Sequence, residues 1–212
     1  MMKAKPVLLF DLGNVLLPID LDKTYHAFAA LSDKFNFLEI KSLITDNSLW
    51  QNYEAGLQNS LDFRHFLREQ LALKCSDKEF DHAFCALLLE FHEGVFEWLK
   101  RLSDNYSIHL LSNTSEIHAN VFTKIPLGPQ GESIFTLFGR VFYSFEMGLV
   151  KPNPQIYQQV LNELNVLPSD LFFFDDNLSN VVAAQKLGIQ AVHILNPSQS
   201  IQQINLKLAS LC

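Results

Sequence analysis

Residues 7–11 read Val-Leu-Leu-Phe-Asp, a short apolar run that ends abruptly in a carboxylate. Three further apolar runs lie along the chain, at 108–111, 171–174 and 191–195. Runs this short and this apolar are typical of strands that are buried on both faces. Segments with helical periodicity separate the runs, and this alternation predicts a parallel sheet covered by helices. We therefore expect an α/β fold with a doubly wound parallel sheet.

The sequence changes in character between the first and the second run. Residues 61–73 and 80–91 carry apolar side chains at helical spacing, and no strand signal is present from 18 to 94. We interpret residues 18–94 as a small, all-helical domain inserted after the first strand. Residues 1–17 and 95–212 then form the predicted core domain. Two more helices are predicted in this core, one beginning at Asn153-Pro154 and one over residues 179–187.

The overall composition excludes several classes of partner. Of the 212 residues, 23 are acidic and 16 are Lys or Arg, which gives a formal net charge of −7. Because binding to nucleic acid or to anionic membranes requires clustered basic residues, we expect neither partner. The N-terminal apolar run is too short for a signal peptide. The three cysteines (75, 85 and 212) show no CxxC spacing, so we expect reduced thiols and a cytoplasmic protein.

Polar residues stand where three of the apolar runs end. Asp11 follows the first run, Ser112-Asn113 the second and Asp175-Asp176 the third, while Lys151 lies in a loop before a helix. In an open parallel sheet, ligands bind outside the carboxyl ends of the strands, so these residues are predicted to share one edge. Turns and helix caps also use such residues. Two adjacent carboxylates after three Phe residues, however, would repel each other without a cation.

These residue types together suit phosphoryl transfer. An Asp is ionised at neutral pH and can attack phosphorus or carbon. Carboxylates at one edge suit Mg²⁺, which prefers oxygen ligands. Lys151 supplies a positive charge, and Ser112 and Asn113 supply neutral donors. Nucleophile, metal, cation and donors are the inventory that phosphoryl transfer requires.

Four segments resemble, in order, the four motifs of the haloacid dehalogenase-like (HAD) hydrolase superfamily. They are residues 10–16 (FDLGNVL), 111–114 (LSNT), 151–154 (KPNP) and 173–177 (FFDDN). The resemblance covers essentially the whole chain and implies a Rossmann-like core, with the helical insertion as the small helical cap of the family. Within the superfamily, the motifs look closest to bacterial sugar-phosphate phosphatases, a group that includes α-glucose-1-phosphate phosphatases.

The resemblance implies a metal site with Mg²⁺ as the cofactor. Asp11 would be the nucleophile, forming an aspartyl-phosphate, and would also bind the metal. The backbone carbonyl of Gly13 and the carboxylate of Asp176 would bind Mg²⁺ directly. Asp175 would act through a metal-bound water, with Asn180 as a supporting partner behind the ligands.

The resemblance also implies a phosphate site. Ser112 and Asn113 would hold phosphate oxygens, and Lys151 would neutralise the charge between Asp11 and the phosphate. In most phosphatases of the superfamily a second Asp, two residues after the nucleophile, is the general acid and base. Here that position is Gly13, which has no side chain, and such help is typically worth about 10²–10⁴ in rate.

Three explanations for the missing acid stay open. The first is that the substrate has a good leaving group and needs no acid. The second is that another residue takes the role of the acid. The third is that the protein is a relative with weak or no catalytic activity. Our candidate for a replacement is Asp20, at the entry to the helical insertion, although Asp20 also fits the N-cap of a helix. In the insertion, Trp50, Tyr53 and Glu54 precede Gly56 in a stretch that could face the site. There Trp50 and Tyr53 would be aromatic platforms for a sugar ring, or else packing residues.

The main hypothesis is a Mg²⁺-dependent phosphatase for a small phosphorylated metabolite, such as a sugar phosphate. One alternative is a metal-independent haloacid dehalogenase, against which the pair Asp175-Asp176 argues. Another is a silent binding protein or a phospho-acceptor signalling module. Response-regulator receivers also use acidic residues, Ser/Thr and Lys, but their acidic pair lies on the first strand. The sequence leaves open whether the protein is a monomer or a homodimer.

Overall fold

The structure, a computed structural model, describes residues 6–210. Its parallel strands form one sheet in the order β3-β2-β1-β4-β5, which confirms the predicted α/β fold. The strands are β1 (Val7–Phe10), β2 (Ser107–Ser112), β3 (Arg140–Tyr143), β4 (Leu171–Asp175) and β5 (Gln190–His193). The sequence did not predict β3, because this edge strand is partly exposed and reads Arg-Val-Phe-Tyr instead of forming an apolar run.

Helices fill most of the chain between the strands. They are α1 (Leu21–Leu31), α2 (Phe37–Asn47), α3 (Gln51–Glu54), α4 (Ser60–Leu71), α5 (Asp77–Phe84), α6 (Val95–Asn105), α7 (Glu116–Phe122), α8 (Ser144–Met147), α9 (Pro154–Leu164), α10 (Leu178–Lys186) and α11 (Ser200–Ala209). Asn153 caps α9 and accepts a hydrogen bond from the Gln155 N–H, as the Asn-Pro pair predicts. Within residues 6–210, no helix has the length and apolarity needed to cross a bilayer.

The sheet is covered on both faces, which explains why its strands are apolar throughout. In β1, Leu8 and Phe10 belong to one buried cluster, and Val7 and Leu9 belong to another. The first cluster includes residues of α6 and α11, and the second includes residues of α9 and α10. Alternate side chains of the same strand therefore pack on opposite layers of helices, as expected for a doubly wound sheet.

A third hydrophobic cluster gathers α1 to α5 around aromatic rings. Phe28, Phe63, Phe80 and Phe84 are all fully or almost fully buried there, and Ile117 of α7 joins them. Between Pro18 and Gly94 the structure contains helices and isolated bridges but no strand. The domain boundaries at residues 17/18 and 94/95 stay a prediction, and residues 1–5 and 211–212 of the predicted core, including Cys212, lie outside the described residues.

The helical pattern over 80–91 extends further than the helix itself. α5 ends at Phe84, a 3-10 turn follows over Cys85–Leu87, and Leu88 is extended. Leu88 forms an antiparallel bridge with Ile19, and the Leu89 N–H donates to the Pro18 carbonyl at 3.1 Å. The chain therefore leaves the insertion alongside the segment by which it entered, and this pairing is what stops the helix.

Candidate active site

Strand register brings Asp11 and Asp175 to one edge of the sheet. Phe10 is paired with Leu110 on one side and with Phe174 on the other. The Asp11 N–H continues this ladder and donates to the Phe174 carbonyl at 2.9 Å. The residues that follow the three central strands therefore meet at their carboxyl ends, where a doubly wound sheet binds its ligand.

Three carboxylates form a cluster at this edge. Asp11, Asp175 and Asp176 each place an oxygen within 4.8 Å of the others. Asp175 is fully buried, Asp11 is 8 % exposed and Asp176 is half-buried. Such a concentration of negative charge away from water is costly unless cations are close by.

Lys151 supplies one of these cations. Its Nζ donates to Asp11 Oδ1 at 2.8 Å, to Asp175 Oδ2 at 2.7 Å and to the Leu111 carbonyl at 3.0 Å. The side chain is only 1 % exposed, so water screens these contacts poorly. All three donor positions of the ammonium group are used, which fixes the charge between the two carboxylates.

Burial and charge shift the pKa values of Asp11, Asp176 and Lys151. Burial raises the pKa of Asp11 to about 7, although Lys151 acts in the opposite direction. Burial also raises the pKa of Asp176. For Lys151, burial lowers the pKa, but the attraction of Asp11 and Asp175 outweighs it and the net shift is upward. Lys151 therefore stays charged, while the carboxylates remain short of positive charge.

The orientation of Asp175 is fixed by its neighbours. Asn180 Nδ2 lies 3.0 Å from both carboxylate oxygens, and the Asn177 N–H donates to Oδ1 at 2.8 Å. Asn180 is buried, and its own carbonyl accepts from the hydroxyl of Tyr157 at 3.0 Å. The structure thus places Asn180 behind Asp175, where the sequence predicts a supporting partner. Its role toward a metal stays a prediction.

Asn14 holds Asp176 and was not identified from the sequence. Its Nδ2 donates to Asp176 Oδ2 at 3.0 Å, and its Oδ1 accepts from the Ile19 N–H at 3.2 Å. The backbone of Asn14 is left-handed, with φ of 56°. Asn is one of the few residues that adopt this conformation readily, so an Asn three positions after Asp11 is a signal from which this contact could have been found.

Asn113 connects two of the predicted phosphate-binding elements. Its Nδ2 donates to the Lys151 carbonyl at 2.9 Å, and its Oδ1 accepts from the Lys151 N–H at 2.8 Å. The side-chain amide is thus engaged with the backbone of Lys151, which positions this loop beside β2. Ser112 ends β2 and is 3 % exposed. Phosphate binding by Ser112 and Asn113 stays a prediction.

A cavity of about 230 Å³ opens beside the carboxylate cluster. Its lining includes Leu12 and Gly13, which follow Asp11 in the chain, and Ser112 and Asn113 at the end of β2. The helical insertion supplies a second part of the lining, which we call the cap wall. The cap wall consists of Ile19, Leu21, Trp50, Glu54, Leu87 and Leu88. A small organic group attached to a phosphate at the cluster would extend into this space.

The structure does not bring two of the predicted residues to the cavity. Tyr53 is buried among the aromatic rings of the third cluster, where its hydroxyl lies 2.7 Å from Ser60 Oγ and accepts from the Ile117 N–H at 3.1 Å. Asp20 accepts a hydrogen bond from the Asp22 N–H at 3.1 Å and caps α1. Neither lines the cavity. A substrate contact of Tyr53 and a catalytic role of Asp20 stay predictions. Trp50, in contrast, lines the cavity.

The donors at this edge fit Mg²⁺. Carboxylate oxygens within 4.8 Å of one another offer the hard ligands that Mg²⁺ binds, usually one or two of them together with waters and a phosphate. One Lys against three carboxylates leaves excess negative charge, which a divalent cation offsets. The cluster also lies beside the cavity, so a metal there has space for water and phosphate.

Fold and site together define a hydrolase with an acidic, lysine-containing centre at the edge of a parallel sheet. The model of the haloacid dehalogenase-like hydrolases matches residues 6–188, so the chain belongs to this family. The recognition made from the four motifs is confirmed. The chain is 24 % identical over 211 residues to a D-ribitol-5-phosphate phosphatase of Bacteroides thetaiotaomicron, covering 96 % of this chain and 98 % of that protein.

Solved structures of HAD family enzymes are also similar to this chain. A HAD family enzyme of Bacteroides thetaiotaomicron, in complex with magnesium and inorganic phosphate, has a TM-score of 0.80 and 29 % identity, over 90 % of this chain and 94 % of that one. A HAD-like family hydrolase of Porphyromonas gingivalis has a TM-score of 0.86 at 24 % identity, over 97 % and 98 % of the two chains, and shows the shared fold. The predicted enzyme class, a phosphoric monoester hydrolase, and the predicted Mg²⁺ cofactor are confirmed.

Proposed function

We propose that this enzyme hydrolyses the phosphate ester of a small polyhydroxylated metabolite, a sugar or a sugar alcohol, by Mg²⁺-assisted transfer of the phosphoryl group to Asp11. The observation that carries the proposal is the position of Asp11. It lies at the end of the central strand, bound to Lys151 and within reach of two further carboxylates, next in sequence to Leu12 and Gly13 of a cavity that the cap wall also lines.

In the first step, an oxygen of Asp11 attacks the phosphorus atom and the ester oxygen leaves. Lys151 offsets the negative charge of the Asp11 carboxylate, which otherwise repels a phosphate dianion. In the second step, water attacks the aspartyl-phosphate, releasing inorganic phosphate and restoring Asp11. Asp11, Asp176 and the Gly13 carbonyl would hold Mg²⁺, with Asp175 acting through a water. When bound, the metal neutralises charge on the phosphate and orients it.

The cavity supports a small leaving group. Its volume of about 230 Å³ suits a leaving group of a few carbon atoms better than a nucleoside or a phosphorylated protein. Trp50 provides an aromatic surface of the kind that packs against sugar rings. A relative that covers nearly the whole chain is a D-ribitol-5-phosphate phosphatase, which supports a phosphorylated sugar alcohol or a similar ester.

Phosphate release from a panel of esters tests this proposal. The panel contains pentose and hexose phosphates, ribitol 5-phosphate, nucleotides and p-nitrophenyl phosphate, each assayed with Mg²⁺ and with EDTA. We expect turnover of the small sugar or sugar-alcohol esters, lost in EDTA. Halide release from 2-haloacids that is insensitive to EDTA would instead identify a dehalogenase. Protection of Asp11 by beryllofluoride without turnover of any ester would identify a silent relative.

A further inference from the structure

Position 13 lacks the side chain that most phosphatases of the superfamily use as an acid, and its nearest side-chain neighbour is apolar. A Cβ placed on Gly13 would lie 3.4 Å from Ile19 Cδ1. The side chain of Ile19, an apolar residue of the cap wall, therefore packs in front of Gly13. A proton donor for the leaving group has to come from another part of the cavity.

Glu54 is the one carboxylic acid among the cavity-lining residues that the structure describes. It is the last residue of α3 and lies in the cap wall, which lines the same cavity as Gly13 and Ser112. Among residues 6–210, its carboxylate has no hydrogen-bond or ion-pair partner, and burial is the sole influence on its titration. The Glu54 side chain is half-buried, so its carboxyl group is partly shielded from water without a partner to stabilise its charge, which is typical of groups kept for function.

The protonation state of Glu54 suits proton transfer. Burial raises the pKa of Glu54 to about 7, so acid and carboxylate forms coexist near neutral pH. His118 is the other titratable side chain that lines the cavity. Burial lowers its pKa to about 4, and its Nε2 lies 3.1 Å from the Phe84 carbonyl. His118 is therefore neutral, with its ring N–H already bound, and cannot replace Glu54.

We propose that Glu54 is the general acid and base of the reaction, in place of the side chain that Gly13 lacks. This inference rests on the proposed function. As Asp11 forms its bond to phosphorus, the bond from phosphorus to the ester oxygen breaks, and that oxygen takes the proton of Glu54. The Glu54 carboxylate then takes a proton from water, whose oxygen bonds to phosphorus as the bond to Asp11 breaks. Phosphate leaves, and Glu54 is protonated again.

Single-turnover kinetics of Glu54→Gln on two esters test the proposal. An alkyl ester, ribitol 5-phosphate, needs its leaving oxygen protonated, whereas p-nitrophenyl phosphate releases a stabilised phenolate without help. We expect the first step on the alkyl ester to slow by about 10²-fold or more. The burst of p-nitrophenolate should keep nearly the wild-type rate, followed by slow steady-state turnover because water attack has lost its base.

Three comparisons make the result decisive. Glu146→Gln, on the exposed surface of α8, removes the same charge and should leave both esters unaffected. If Glu54→Gln slows the first step equally on both esters, or on neither, the proposal is overturned. The proposal also fails if Asp20→Asn, and not Glu54→Gln, slows the first step on the alkyl ester alone. A melting temperature of Glu54→Gln at or above that of the wild type confirms intact folding. If the wild type hydrolyses neither ester, the proposed function itself fails.

Discussion

The carboxylate cluster lies next in sequence to residues of the cavity lining and the cap wall is part of that lining, but the two are built in opposite ways. At the cluster, Asp11, Asp175 and Asp176 all have hydrogen-bond partners, and Lys151 uses all of its donors. In the cap wall, the other residues are apolar or aromatic, and residues 6–210 provide no hydrogen-bond or ion-pair partner for Glu54. The first arrangement fixes charges before any ligand arrives, as binding a phosphate and a metal requires. The second places a single carboxylic acid among apolar residues of the cavity lining, which suits the proposed role of Glu54 toward a leaving group.

The largest effect is expected at the cluster. Replacing Lys151 by Met leaves Asp11 and Asp175 buried without their cation, and the loss of one partner of a buried pair typically costs about 3–5 kcal/mol. We expect this decrease in unfolding free energy without Mg²⁺, and a partial recovery when Mg²⁺ is added. Chemical denaturation with and without the metal measures both. Trp50→Phe, in the cap wall, is the control. A Lys151→Met protein as stable as the control would show that the ion pairs of Lys151 contribute little to the stability of the fold.

A smaller effect is expected where the insertion meets the core, at His118. Its pKa is about 4 when folded, below the ordinary value of 6.5, because the ring is buried. The unfolded chain therefore binds more protons between these pH values, so this residue's contribution to stability is present above pH 6.5 and is lost as the pH falls toward 4. The loss is on the order of 2–3 kcal/mol.

His118→Gln, which keeps a donor for the Phe84 carbonyl, removes this pH dependence. The test is the difference in unfolding free energy between wild type and variant, measured from pH 7 to pH 4.5. His65→Gln, at an exposed position, should leave the wild-type pH dependence intact. Parallel curves for the wild type and His118→Gln would show that His118 titrates normally in the folded state.

The support of Asp176 gives a third, milder effect. In Asn14→Ala the hydrogen bond from Nδ2 to Asp176 Oδ2 is absent, and losing such a partner behind a metal ligand typically weakens metal affinity by about 10–100-fold. The Mg²⁺ concentration for half-maximal activity should rise accordingly. Asn59→Ala removes the side-chain cap of α4 in the helical insertion and serves as the matched control. Unchanged Mg²⁺ dependence in Asn14→Ala would place Asp176 outside the metal site.

The smallest effect is expected at Tyr53. Tyr53→Phe loses the hydrogen bonds to Ser60 and to the Ile117 N–H and should cost about 1 kcal/mol of stability. Because Tyr53 packs inside the helical cluster and does not line the cavity, KM for sugar phosphates should not change. A large rise in KM at unchanged stability would restore the role of Tyr53 as a platform for the substrate.

The central part of the fold was predictable because its signal is local. Strands β1, β2 and β4 are buried on both faces and read as apolar runs, and the polar residues at their ends meet at one edge. Strand β3 lies at the edge of the sheet and is half-exposed, so its sequence carries no comparable signal. In the same way, the apolar spacing that continues to Phe91 could not show that Leu88 pairs with Ile19 and ends the helix.

The site was predictable in its residue types and less so in its contacts. Asp11, Lys151 and Asp175 meet as expected, because strand order and motif spacing bring them together. The link between the Asn113 side chain and the Lys151 backbone depends on the path of a loop, which spacing does not reveal. The sequence assigned no separate role to Glu54, because its distinctive feature, a half-buried and unpartnered carboxyl group in the cavity lining, exists only in the folded chain.

The central claim is that the phosphoryl group passes through Asp11. Rapid quenching of the enzyme with ribitol 5-phosphate and Mg²⁺, followed by borohydride trapping and peptide mass spectrometry, tests it most directly. We predict a modification at Asp11 during turnover that is absent from Asp11→Asn, which should also have lost hydrolysis by about 10⁴-fold or more. Full turnover by Asp11→Asn, or phosphate trapped at another residue, would contradict the account.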